Sequence, residues 1–277
     1  MEQCVLDKDM ISQPELWRLV LLLSPERLDV ALYPPVVREQ MVWHSIMLDS
    51  AAQSPLKALE DAVYGNPLLL SDFKKVDCLV DYSGWMMVPS EADESDVVKL
   101  MDVAGVANDG CADVECYDAG AANARVALMQ PRDIKSFLTR TFFNIRFDSR
   151  MASLCRYLIG HPDGLGQRRA YAFIRGERLT FIAVDGERLL AANEFEARTA
   201  TDIAYYVLAS MQELKLGLSD TDVAVHGDGG VAARESIDIL KRYTDHCQPM
   251  PFPILRYRPD KSTMQAPFDL LIRPLCE

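Results

Sequence analysis

The chain predicts an α/β fold in which one unit, three consecutive strands followed by helix, strand, helix, strand and helix, is used twice, with an insertion in the first copy. Three observations carry this expectation. Runs rich in Leu, Val, Ile and aromatic residues alternate with amphipathic stretches at helical spacing. The same local order returns in the second half: Pro25-Glu26-Arg27-Leu28 is echoed by Gly176-Glu177-Arg178-Leu179 at an offset of 151 (176 − 25), and Val76 by Asp222 at 146 (222 − 76). A length of 277 residues, with 49% hydrophobic and 25% charged, suits two globular lobes and sets aside disordered, collagen-like and low-complexity classes.

In chain order, Trp17 to Leu23 reads as the first strand, Ser24-Pro25-Glu26-Arg27 as a turn, Leu28 to Tyr33 as the second strand and Met41 to Leu48 as the third. Ser54-Pro55 supplies an N-cap and a proline at the first helical position, and Leu56, Leu59 and Val63 share a face of the helix that follows. Gly65-Asn66-Pro67 ends it, and Val76 to Val80 is the fourth strand. Residues from about 85 to 130 form the insertion. Pro131 to Thr141 reads as a helix, Phe143 to Phe147 as a strand and Ser149 to Ile159 as a helix.

The second copy begins after His161-Pro162-Asp163-Gly164-Leu165-Gly166, which divides the chain into lobes at 1–160 and 161–277. Its strands are Arg169 to Ile174, Leu179 to Val184 and, after the hairpin signal Asp185-Gly186, Arg188 to Phe195. Thr199 with Asp202 forms a capping pair before a helix bearing Ile203, Val207, Met211 and Leu214. Asp222 to His226 is the fourth strand, Val231 to Tyr243 a helix, Ile254 to Arg258 the fifth strand, and a short helix closes the chain.

Two consecutive units of this order resemble the duplicated ribonuclease H-like architecture of actin, sugar kinases and the actin-like proteins of cell division, pilus assembly and secretion. The insertion resembles the extra subdomain of the cell-division and pilus members. More closely, the chain is similar to an uncharacterised bacterial domain-of-unknown-function family of that superfamily. The hairpin from Leu19 to Tyr33, Met87-Val88-Pro89, Ala127-Leu128-Met129-Gln130-Pro131, Phe268-Asp269-Leu270-Leu271 and Leu275-Cys276-Glu277 carry that likeness. It implies a fold and no mechanism.

The superfamily's chemistry can be tested residue by residue. Actin-like ATPases hold phosphate and Mg²⁺ between two hairpins with small residues and an acid. Here the first hairpin has no glycine, its proline removes an N–H donor, and neither hairpin ends its first strand in an acid. Glu26 and Glu177 could substitute only from solvated turn positions. Ribonuclease H chemistry needs carboxylates on the first strand, and Asp77, Asp81 and Asp222 have no such partner. His226-Gly227-Asp228-Gly229-Gly230 lies between strand and helix, where N–H groups could receive an anion, although Asp228 would repel phosphate and a tight turn using glycine's free φ explains the same residues. If ATP with Mg²⁺ binds, Ser24, Gly176, Gly227, Gly229 and Gly230 are the candidate contacts. No catalytic residue and no metal ligand set is expected: Cys111 and Cys116 lack a second pair, the four histidines are isolated, and no Walker A sequence occurs.

Acidic residues outnumber basic ones 41 to 29, giving a net charge of −12. From Glu91 to Asp118 nine acids face only Lys99, a local surplus of −8, so the rest of the chain stands at −4. A solvated surface or a dock for a basic partner explains the segment. Missing metal ligands and the lack of a clear basic patch argue against nucleic acid as a partner. No apolar run reaches the roughly 20 residues of a membrane span, the start lacks a secretory pattern, and seven scattered cysteines fit reduced thiols, so the expected compartment is the cytoplasm. The leading functional expectation is a non-catalytic actin-like scaffold or regulator acting through protein contacts, with homo-oligomers among them. The alternative is a nucleotide-binding enzyme or switch using the cleft between lobes.

Overall fold

Leu19, Leu21 and Leu23 alternate with Val20 and Leu22 along the first strand, and all five are at most 2% exposed. A strand buried on both faces belongs in the middle of a sheet covered by helices on each side. The computed structural model of the chain, which describes residues 5–36, 39–106, 110–161, 165–227, 231–251, 257 and 266–276, places it there. β1 (Arg18–Leu23) pairs antiparallel with β2 (Arg27–Tyr33), which pairs with β3 (Val42–Met47). On its other side β1 runs parallel to β4 (Lys75–Val80), and β4 to β8 (Arg146–Ser149), giving the order β3-β2-β1-β4-β8.

The second sheet repeats this arrangement. β9 (Arg168–Arg175), β10 (Arg178–Asp185), β11 (Arg188–Glu196), β12 (Asp222–Gly227) and β13 (Cys247–Pro249) stand in the order β11-β10-β9-β12-β13. The helices follow the same scheme: α1 (Pro55–Tyr64), α3 (Arg132–Thr141) and α4 (Arg150–Gly160) in the first copy, α5 (Ala200–Glu213), α6 (Val231–Leu240) and α7 (Phe268–Ile272) in the second. Between β4 and α3, the insertion folds as β5 (Trp85–Pro89), α2 (Glu94–Val103), β6 (Ala112–Ala121) and β7 (Ala124–Pro131). Its strands form a separate antiparallel sheet of order β5-β7-β6 around Val88, Val97, Met101 and Met129.

The helix ends follow their capping chemistry. Ser54 accepts from Lys57 N at 3.1 Å, and Asn66 closes α1 by donating to the Ala62 carbonyl at 2.8 Å and accepting from Leu6 N at 2.9 Å. Thr199 and Asp202 form a reciprocal capping box at α5.

One strand placement differs from the sequence expectation, and one expected strand falls mostly outside the described residues. The first copy's fifth strand starts at Arg146 rather than Phe143, because Asn144 turns through a left-handed φ of 53° and Phe143 stands in solvent. In the second copy, the strand beside β12 is Cys247–Pro249. Of the expected strand Ile254 to Arg258, all but Tyr257 lies outside the described residues.

The outer faces of the two sheets pack on their own helices: Leu19, Leu21 and Leu23 against Leu59, Val63, Phe137 and Leu138, and Ala170, Ala172 and Ile174 against Ile203, Val207, Met211 and Ile237. The inner faces exchange helices. α4, which follows the first sheet, lays Met151, Leu154, Cys155 and Leu158 on Tyr171, Phe173, Ile182 and Val184 of the second. α7, which follows the second, lays Leu270 and Leu271 on Val20, Leu22, Ala31 and Leu79 of the first. The Tyr33 hydroxyl donates to the Leu270 carbonyl, and the surrounding burial raises its pKa above the ordinary phenol value.

Candidate functional site

Both hairpins that an actin-like protein would use for phosphate point into the space between the lobes. The first turns through Pro25-Glu26 and is closed by Ser24 N and Oγ, which donate to the Arg27 carbonyl at 3.0 and 3.1 Å. The second turns through Gly176-Glu177, with Gly176 at a φ of 60°, the conformation glycine supplies at the first central position of a two-residue hairpin loop. Gly186-Glu187 repeats that turn one hairpin later, so Asp185 ends its strand opposite Arg188 instead of entering the loop.

Ser24 and Gly176 line one cavity of about 330 Å³ together with Glu26, Arg175 and Arg178. It neighbours a larger cavity of about 1030 Å³ between β5 and β11, lined by Trp85, Met86, Met87 and Phe195. Gly227 lines neither. It ends β12 against α6, and its φ is not left-handed; a Cβ there would lie 2.6 Å from the Ala233 Cβ, so close strand–helix packing is what requires glycine. Gly229, Gly230 and Asp228 lie outside the described residues.

Behind the hairpins sits a cluster of charges that crosses the cleft. Arg175, at the end of β9, reaches Asp81 Oδ2 and Asp29 Oδ2 in the other lobe, each at 2.9 Å. Arg178, across the turn, reaches Asp81 Oδ2 at 2.7 Å, and Arg27 Nε lies 2.9 Å from Asp29 Oδ2. Beneath them Arg150 contacts Asp81 at 3.6 Å, Glu194 at 3.4 Å, Asp269 at 3.0 Å and Thr180 Oγ1 at 3.2 Å. Trp85 Nε1 completes the group by donating to Glu194 Oε2 at 3.2 Å.

Among the described residues four guanidiniums, Arg27, Arg150, Arg175 and Arg178, thus meet four carboxylates, Asp29, Asp81, Glu194 and Asp269. Balance matters because Asp29 is 0%, Arg150 3% and Asp81 5% exposed, and buried charge is tolerated only when paired. Burial pushes the Asp81 carboxyl up, but Arg150, Arg178 and Arg175 together override it and hold its pKa below the usual value. Burial pulls Arg150 down, and Asp269, Asp81 and Glu194 more than restore it. As the first residue of α4, Arg150 also places a cation at the unfavourable end of the helix dipole, another reason for three acids around it.

Chemically, the cluster binds lobe to lobe through paired charges. Glu177 is turned to solvent, where it pairs with Arg198 at 3.3 Å with both side chains 68% exposed, and Glu26 is exposed at the tip of its turn. Among the described residues no group of three His, Cys, Asp or Glu side chains could hold a metal. Cys78 and Cys155 are buried and pushed up to about 12, which suits core thiols.

Sequence reasoning singled out Ser24 and Gly176 but missed Arg175, Arg178, Arg150 and Asp29, and it read Asp81 only as an orphaned metal ligand. A usable signal existed: Asp29 stands between Leu28 and Val30 in an otherwise apolar strand, and an acid there must find a partner.

The acidic stretch of the insertion is also altered by folding. Asp113 pairs with Arg132 at 2.6 Å, Glu115 with Lys135, Asp96 with Lys99 at 3.1 Å, and Asp93 caps α2. Glu91, Glu94 and Asp102 keep no ion pair among the described residues.

Two sheets of identical strand order, exchanged inner helices and a cleft framed by paired hairpins define the class: this is an actin-like ATPase fold, and the solved structures agree. A protein of Bacteroides thetaiotaomicron described as having an actin-like ATPase fold and unknown function superposes with a TM-score of 0.80 at 18% identity, covering 97% of this chain and 100% of that one. A chain of the PilM-PilN type IV pilus biogenesis complex gives 0.52 at 11% identity, covering 86% and 89%. The family model described as Protein of unknown function (DUF3822) matches residues 7–247, and the chain belongs to that family. Comparison with the curated proteins gives no match. No helix among the described residues is long and apolar enough to cross a membrane.

Proposed function

We propose that this protein is a non-catalytic actin-like scaffold or regulator of the cytoplasm, acting by protein–protein contact, with lobes 1–160 and 161–277 held by the inter-lobe ion cluster. The observation that carries this reading is the position of Arg175 and Arg178. On the hairpin where phosphate would need free donors and a metal ligand, both guanidiniums are committed to Asp29 and Asp81 of the opposite lobe. Replacing those carboxylates with a nucleotide phosphate would strand two buried acids. That an actin-like neighbour occurs in a pilus biogenesis complex supports a role through partners. A basic partner is proposed to dock at the start and end of α2, where Glu91, Glu94 and Asp102 carry the unspent charge.

One observation favours a second reading, a nucleotide-binding switch: the adjoining cavity of about 1030 Å³ is large enough for a nucleotide, and Gly176 lines it. Thermal unfolding with ATP or ADP and Mg²⁺ separates the two. A ligand at about 100 times its Kd stabilises by about 2.7 kcal/mol, easily measured as a shift in Tm. The scaffold reading expects no shift beyond that of Mg²⁺ and ionic strength alone. A saturable shift that disappears in Arg178→Gln would overturn it.

A further inference from the structure

The cavity of about 1030 Å³ is bordered by strand edges and not by sheet faces. Side chains alternate between the two faces of a strand, so a cavity lying over one face meets every second residue. Here Ala192, Asn193, Glu194, Phe195 and Glu196 line it in unbroken succession, as do Trp85, Met86 and Met87. Both strands are the last of their sheets: β11 ends the order β11-β10-β9-β12-β13, and β5 ends β5-β7-β6.

The phase of each ladder fixes which backbone groups face the opening. Ala197 N donates to the Glu177 carbonyl at 2.7 Å, so the backbone groups of Phe195 and Asn193 bond to β10 while those of Ala192, Glu194 and Glu196 point the other way. On β5, Met129 N donates to the Gly84 carbonyl at 2.7 Å, so the backbone of Met86 faces β7 and that of Met87 faces away. Among the described residues no strand pairs with either outward edge. An edge of nine residues, the length of β11, is a template for another chain unless something covers it.

The walls define what that chain must carry. Trp85, Met86 and Met87 are half-buried, and Phe195 stacks on Tyr206 with ring centroids 4.6 Å apart, which makes one wall apolar. Acid gathers at the end of β11, beside the hairpins. Glu26 is exposed with no ion pair among the described residues, and the exposed Glu177 and Glu196 share a single cation, Arg198. The cavity's own guanidiniums, Arg175 and Arg178, are held by Asp29 and Asp81. Such a rim repels phosphate and attracts lysine or arginine.

We propose that an extended segment of a partner protein, apolar at alternate positions and basic at one end, adds to the second sheet along β11. Main-chain hydrogen bonds to Ala192, Glu194 and Glu196 hold it, its apolar side chains cover Met86 and Met87, and its basic end meets Glu26, Glu177 and Glu196. The inference rests on the scaffold reading and adds a contact in the cleft to the dock at α2.

Panning a phage-displayed library of random peptides of about twelve residues, long enough to span β11, on the immobilised full chain tests it, with the recovered peptides synthesised and titrated by fluorescence anisotropy. The expected consensus alternates apolar residues and ends in lysine or arginine. Glu26→Lys should weaken its binding about tenfold or more and leave Tm unchanged, because Glu26 holds no cation in the fold. Of the two alternate-residue patterns of peptide N-methylation, one should abolish binding and the other be tolerated, because only one set of N–H groups faces β11. No recovered consensus, a consensus without lysine or arginine, unchanged affinity in Glu26→Lys, or equal effects of the two N-methylation patterns overturns the proposal. So does binding that survives Glu26→Lys and is lost in the double variant Glu94→Lys/Asp102→Lys. That result places the peptide on α2 and leaves the scaffold reading standing, since that reading fails separately, on the nucleotide shift.

Discussion

Asp81 stands one residue past the end of β4, where an actin-like sheet opens into its cleft, and it receives guanidiniums from three separate elements: the start of α4, the end of β9 and the start of β10. Removing one member of such a group strands the others. Asp81→Ala is expected to destabilise the protein by about 3–5 kcal/mol, measured by chemical denaturation, because Arg150 and Arg175 would keep their burial and lose a counter-charge. Arg198→Ala, which removes the exposed partner of Glu177 and Glu196, serves as the control and should leave the midpoint unchanged. The Asp81 contribution has a defined pH dependence. Its folded pKa lies below the unfolded value of about 3.9, so the stabilisation is complete above that value and is lost as the pH falls through the folded pKa. The stability difference between wild type and Asp81→Ala should therefore shrink only in acid, below about pH 4.

At the scale of elements, Gly227 distinguishes a packing role from a ligand-cradling one. Its ideal Cβ would lie 2.6 Å from the Ala233 Cβ, closer than side chains tolerate, so β12 and α6 would have to separate. Gly227→Ala is expected to cost about 1–3 kcal/mol by overpacking, and adding Ala233→Gly should recover most of it. Failure of the second change to rescue would mean that the glycine serves something other than this contact. The residue also shows where sequence reading stops. Strand order, both hairpins, the α1 cap at Ser54 and the α5 capping box were legible because local chemistry dictates them. Gly227 was legible as special, but the cause lay in a helix that had first to be placed against it. The start of the first copy's fifth strand was misjudged because β8 begins after a left-handed Asn144, and β13, only three residues long, leaves no strong periodic signal. The inter-lobe cluster was illegible as a unit, since its members come from positions 27 to 269 and meet only when both sheets are assembled. The same holds for the acids of the insertion, whose partners Arg132 and Lys135 lie outside the stretch that looked so unbalanced.

The whole molecule is tied together by exchange. Each inner sheet face is covered by the helix that follows the other sheet, α4 on the second and α7 on the first, and the Arg150 cluster lies where the two halves meet. Neither lobe can expose its inner face without losing a helix that the chain assigns to its neighbour. This predicts one cooperative unfolding transition instead of two. The tryptophans offer a direct probe, since Trp17, Trp43 and Trp85 all belong to the first lobe or its insertion, while far-UV circular dichroism reads both lobes. The two signals should give coincident midpoints in denaturant. Leu270→Ala sharpens the experiment: Leu270 is 0% exposed, belongs to α7 near the end of the chain, and packs on β1 and β4. Its truncation should cost about 2–5 kcal/mol and move the fluorescence and dichroism midpoints by the same amount. Separation of the two curves in wild type, or movement of the fluorescence midpoint alone in Leu270→Ala, would show that the lobes unfold independently. The ion cluster would then be a contact between finished domains and not part of a shared core.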